Sequence, residues 1–206
     1  MRPLKRISIA IGVALLSYGA FFAAQTLRPR GLALQLPESL QPGDVVLMRS
    51  HTWRAELVRL IDGVPYRDGF SHVGLVQGQN DNRDWELVHA VPGKEGTVRQ
   101  EAWADIARGG GISEAVIYRA KINSETRAKL IALQADAAKR AVAFDTAFNH
   151  NDPSKFYCTE LVTELYRQAG HPVVSDSVLQ KRAIFPGHLA NSDRLKQIGT
   201  TRGVVH

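Results

Sequence analysis

Two short runs rich in Val and Leu, "SHVGLVQG" (71–78) and "DWELVHAV" (84–91), flank the polar stretch "QNDN". Runs of that length bounded by turn residues predict strands, and their separation predicts a hairpin. "PGDVVLMRS" reads as a turn into a strand over Val45 to Arg49, and "SEAVIYRA" (113–120) as a further strand. Elsewhere the period changes. "NSETRAKLIALQADAAKRAVA" (123–143) is the longest helical pattern, with Asn123 or Ser124 as its cap. Past Cys158, the apolar residues Leu161, Val162, Leu165 and Tyr166 recur at helical spacing until Gly170 and Pro172 stop the helix. "HTWRAELVRLIDG" (51–63) fits a helix ended by Gly63, followed by the loop "VPYRDGF". Residues 92–111 read as a loop, a short strand and a short helix, and residues 182–199 as a helix-poor tail with one late strand. Strands gather in the first half and helices in the second, which predicts an α+β fold, an antiparallel sheet packed against helices.

The N-terminus follows a third pattern. It has a cationic start and an uncharged stretch from Ile7 to Leu27, closed by Arg28 and Arg30. A stretch of about 20 apolar residues matches the bilayer core. Signal cleavage after Ala23 or Ala24 would put a Phe at −3, and only a cut after Gly19 would suit a small-residue rule. The reading is therefore an uncleaved transmembrane helix within a segment 1–30, followed by one domain over 31–206. Its basic start places the N-terminus in the cytoplasm and the domain outside it, periplasmic or cell-surface. A cleaved segment would make the protein secreted.

Charge then changes little. The chain holds 26 Lys and Arg against 20 Asp and Glu, but Arg2, Lys5, Arg6, Arg28 and Arg30 all lie in the first 30 residues. That leaves 21 basic against 20 acidic residues in the domain. The domain has no basic excess with which to read nucleic acid. One cysteine excludes an internal disulfide, and no clustered Cys/His spacing points to zinc.

That cysteine, Cys158, stands at the start of its helix after the loop "NHNDPSK". Unpaired N–H groups and the helix dipole favour an anion there, which predicts a lowered thiol pKa. A lone buried Cys is as often a small core residue, so a base must be found. Of seven histidines, only His72 and His89 fall in strands. If the hairpin turn centres on Asn80 and Asp81, His72 stands directly opposite His89, and Glu86 points to the other face. Opposed residues share a face, so the imidazoles can meet. A thiol, a His and a polar group that orients the His form a nucleophile–base–orienter set. Ordinary strand histidines remain the alternative.

Taken in order, "PGDVVLMRS", "FSHVGLV", "ELVHAV" and "FYCTELVTELY" resemble the circularly permuted NlpC-type papain-like cysteine hydrolases, closest to the YiiX-like amidases and kin to the lecithin retinol acyltransferase fold. The similarity spans Pro42 to Leu195, with the His strand before the Cys helix, as in the permuted family. It implies a permuted papain-like fold, Cys158 as nucleophile, His72 as base, and His89 in a third position where relatives often carry Glu. Tyr157 matches the aromatic beside the nucleophile, and the Cys158 N–H would join an oxyanion hole. Asp44 of the "GD" start is structural in this reading. No metal or organic cofactor is implied. The substrate is a cell-wall peptide amide or a lipid ester or amide. The polar segments "FNHNDPSK" and "YRDGFS" favour the peptide. A non-catalytic module that binds an acyl chain or peptide, and a scaffold with a redox-sensing thiol, are the rival classes. Oligomeric state is not legible.

Overall fold

A computed structural model describes residues 34–50, 69–92, 96–109, 111–148, 152, 154–181 and 183–202. They belong to the unit Leu32–His206. The anchor segment 7–27, the helix expected over 51–63 and residues 64–68 of the loop after it lie outside the described residues. Among the described residues no helix is long and apolar enough to cross a membrane.

The elements run β1 (Val45–Ser50), β2 (His72–Gln79), β3 (Trp85–Ala90), β4 (Val98–Ala102), α1 (Trp103–Gly109), β5 (Ile112–Ala120), α2 (Ser124–Lys139), β6 (Ala143–Phe144), β7 (Lys155–Phe156), α3 (Cys158–Gln168), α4 (Asp176–Leu179), α5 (Pro186–Ala190) and β8 (Leu195–Arg202). Six strands form one sheet in the order β4-β3-β2-β1-β5-β8, and each neighbouring pair is antiparallel. The α+β reading stands. The tail over 182–199 is helix-poor as expected, with only the short α5 before β8 closes the sheet edge.

Both faces of the sheet are covered, which is why β1 reads "VVLM" rather than alternating. Val45, Leu47, Val73, Leu75 and Val88 meet α2 and α3 through Leu130, Ala137, Leu161, Val162 and Leu165. Val46, Met48, Val76, Leu87 and Ile117 meet the other layer, made by Leu34, Leu36, Leu40 and the α1 residues Trp103 and Ile106. Fully burying each aliphatic side chain contributes roughly 1.5–3 kcal/mol.

The turn before β1 is tied to three elements. Gly43 has φ +91, and a Cβ there would come within 3.1 Å of a Leu130 methyl, so only glycine fits. Its carbonyl accepts from Tyr166 Oη of α3 at 2.5 Å. Asp44, fully buried, accepts from Arg119 Nε at 2.7 Å and Nη2 at 2.6 Å on β5. Helix α3 is thereby held against the centre of the sheet. Asn123 caps α2 by accepting from the Thr126 N–H at 2.8 Å.

The hairpin forms with a longer turn than expected. Asn80 Oδ1 accepts from the N–H groups of Asn82 and Asp84, and Arg83 sits at φ +63. With a bulge between Val76 and Gly78, the pairing becomes Leu75↔Val88 and Val76↔Leu87. Extended three places, that register sets His72 across from Val91, two residues from the expected His89. A two-residue slip preserves facing where a one-residue slip would invert it. His72 and His89 still share a face, as expected, while Glu86 turns away to accept from Gln100 Nε2 at 2.7 Å.

Candidate active site

Tyr157 is the N-cap of α3 and Cys158 its first residue. Tyr157 is almost fully buried, and its hydroxyl accepts from the Ile184 N–H at 2.8 Å, which pins the cap beneath the tail. Its ring lies 5.4 Å from that of Phe148, which in turn lies 6.1 Å from Phe144. The N–H of Tyr157 donates to Glu160 Oε2 at 3.3 Å across the first turn.

The Cys158 thiol lies 3.8 Å from Thr159 Oγ1. The N–H groups of Val73, Thr159 and Cys158 itself are directed to the sulfur. Val73 precedes the β2–β3 ladder, which begins at Leu75, so its N–H is free to serve the thiol instead of β3. Cys158 keeps part of its surface open, but burial pushes the thiol up, and the N–H donors and Thr159 only oppose that rise. This corrects the expectation of a lowered pKa: the helix start does favour the anion, and desolvation outweighs it.

His72, one residue before Val73, pairs with Met48 of β1. Its Nε2 is 2.8 Å from His89 Nδ1, with ring centroids 5.1 Å apart. His89 Nε2 is 2.9 Å from Glu101 Oε2 on β4. Gly74 makes room for this pair, since a Cβ there would lie 3.3 Å from that of His89. Burial, then the neighbouring His89, lower the His72 pKa to about 3, against a smaller opposing pull from Glu101. The hydrogen bonds of Cys158 do not include His72. The structure thus joins His72 to His89 and brings the thiol to the adjoining residue, Val73. At neutral pH both Cys158 and His72 are uncharged, which suits proton transfer during attack rather than a standing thiolate–imidazolium pair.

Glu101 was not among the sequence candidates. It belongs to the third strand of the diagonal His72–His89–Glu101, and only the β3–β4 register, with His89↔Arg99, sets it beside His89. The three groups follow one another in a line rather than converge. Among the described residues no cluster of three or more His, Cys, Asp or Glu could hold a metal.

Glu160 is 5% exposed, and burial, reinforced by Asp145, Glu164 and Asp152, raises its pKa to about 8 despite the Tyr157 N–H. The folded chain therefore holds a proton that an unfolded Glu releases near its ordinary pKa of about 4.3. That contribution to stability is fully present below about pH 4.3 and is lost as the pH rises through about 8. Glu160→Gln, which still accepts from Tyr157, should gain in melting temperature relative to wild type between pH 5 and pH 9. A difference that stays flat over that range would show Glu160 ionised in the fold.

An α+β sheet with a thiol at a helix start and a hydrogen-bonded imidazole on the neighbouring strand defines a cysteine hydrolase. The chain belongs to the permuted papain-like amidases of the YaeF/YiiX type, the C92 peptidase family, whose model matches residues 39–199. Among solved structures it resembles metalloprotein yiiX from Escherichia coli O157:H7, with TM-score 0.59 and 17% identity, over 77% of this chain and 96% of that one. At that identity the likeness shows the fold. None of the curated proteins matches.

Proposed function

We propose that the chain hydrolyses an amide in a cell-wall-type peptide, with Cys158 as nucleophile, His72 as general base and His89 orienting His72. The observation that carries this reading is the His72–His89 hydrogen bond, one residue from the backbone N–H that serves the thiol. The sulfur attacks the amide carbonyl carbon while its proton passes to His72. N–H groups at the start of α3 stabilise the oxyanion. His72 then gives the proton to the leaving amine as the C–N bond breaks, which leaves a thioester on Cys158. Water, deprotonated by His72, hydrolyses it.

Residues 7–27 serve in this proposal as a membrane anchor, with the hydrolase domain extracytoplasmic, where a wall peptide would be met. A second reading, a lipid ester or amide, is favoured by one observation. The rings of Phe144, Phe148 and Tyr157, edge-on and tilted to one another, give the nucleophile an apolar neighbour, and apolar patches mark lipid-entry surfaces. Offering the purified full chain muropeptides and phospholipids separates the two. Amine release from muropeptides that depends on Cys158 supports the peptide reading. Fatty-acid release dependent on Cys158, with muropeptides untouched, overturns it.

A further inference from the structure

We propose that Glu101 is a positioning residue that acts through His89 to hold His72 in the tautomer whose Nδ1 is bare and able to take the thiol proton. The proposal deepens the hydrolase reading and rests on it only for the last step, from His72 to Cys158.

The inference follows from counting protons along the diagonal. A neutral imidazole carries one N–H, and an ionised carboxylate can only accept. Glu101 Oε2 stands 2.9 Å from His89 Nε2, so the His89 proton is on Nε2. His89 Nδ1 is then a lone pair and can only accept. It lies 2.8 Å from His72 Nε2, so His72 must donate from Nε2. His72 Nδ1 is left as its one basic nitrogen. Without an acceptor at position 101, either proton placement would satisfy the His72–His89 bond. Half of those arrangements put a proton on His72 Nδ1 and close it to the thiol.

The plainer role for Glu101 is that of a surface carboxylate on an edge strand. Its other oxygen is 3.5 Å from Arg99 Nη1, both side chains are about a third or more exposed, and an open groove of about 520 Å³ borders it with Gln100, Ala138 and Lys139. An exposed ion pair of that kind contributes little. The bond to His89 is the shorter one, and it reaches a side chain only 5% exposed. A carboxylate at the rim, in contact with water and Arg99, keeps its charge at low cost while it fixes a buried ring. The Glu101 carboxyl is held below its usual range first of all by the His89 hydrogen bond.

The test uses the full chain labelled with ¹⁵N-histidine at pH 8, reading ring tautomers by long-range ¹H–¹⁵N correlation. Turnover of p-nitrophenyl acetate, an activated ester, is read alongside. Wild type should show both His72 and His89 with the proton on Nε2. Glu101→Gln offers an amide oxygen to the same N–H and should keep both tautomers. Glu101→Leu should mix the tautomers of both rings. It should also lower kcat about tenfold or more with KM unchanged, part of the ~10²–10⁴ that a positioned base contributes. If Leu disturbs the edge strand, Glu101→Ser gives the same readout. Rings that keep Nε2–H in both Glu101→Leu and Glu101→Ser would overturn the proposal. So would equal loss in Glu101→Gln and Glu101→Leu. Tautomers that respond to Glu101 in a chain that turns over no ester would uphold the relay and count against the hydrolase reading alone.

Discussion

Cys158→Ala should reduce amide hydrolysis by about 10⁴-fold or more, and His72→Ala by about 10²–10⁴-fold, the worth of a positioned general base. The double variant should be no worse than Cys158→Ala alone, because a nucleophile and its base act as one unit. The pH dependence of alkylation adds a second signature. Burial pushes the Cys158 thiol up and holds His72 near 3, so the resting pair is neutral. Iodoacetamide should therefore label Cys158 with no low-pH limb, its rate rising only beyond the ordinary thiol range near 8.5. A plateau reached by pH 5 would reveal a standing ion pair. Independent, multiplying losses in the double variant would separate His72 from the thiol.

Asp44→Ala should lower stability by about 3 kcal/mol, near the lower end of what breaking a buried ion pair costs. Asp44 is fully buried, and its carboxylate holds the Arg119 guanidinium by two hydrogen bonds and the Gln41 N–H at 2.8 Å. Arg119 keeps about a quarter of its side chain exposed, so water replaces part of the lost pairing. In a chain of this size that is a fall of roughly 6–12 °C in melting temperature. Asp44→Ala with Arg119→Met should recover much of it, since removing both charges leaves no buried group unpaired. Thermal unfolding of the three chains measures this. A loss of activity with unchanged melting temperature would instead make Asp44 part of the chemistry.

Several features of the site could be read before any fold was known, because they depend on parity and punctuation. His72 and His89 share a face whether the register is the expected one or shifted by two, and the strands themselves were bounded by clear turn residues. Cys158 at a helix start follows from the apolar spacing of Leu161, Val162, Leu165 and Tyr166 behind a polar loop. The exact register escaped because Asn80 organises a longer turn through its side chain, with Arg83 in the left-handed region. Glu101 escaped because its place beside His89 depends on how β4 pairs with β3, and nothing local in "VRQEA" fixes that. The direction of the thiol shift escaped for a similar reason. A helix terminus is local and visible in sequence, whereas the desolvation that raises the thiol comes from the tertiary burial of Cys158. The aromatic contact of Phe148 with Tyr157 likewise joins residues across a loop that reads as polar.

During turnover a substrate acyl group should become bonded to Cys158. The most direct measurement incubates the full chain with a muropeptide, quenches in acid within the first turnover, and maps the adduct by peptide mass spectrometry. A thioester is expected on the peptide carrying Cys158, absent from Cys158→Ala and diminished in His72→Ala. Turnover of the muropeptide by Cys158→Ala at the wild-type rate, with no acyl adduct on wild-type Cys158, would contradict it.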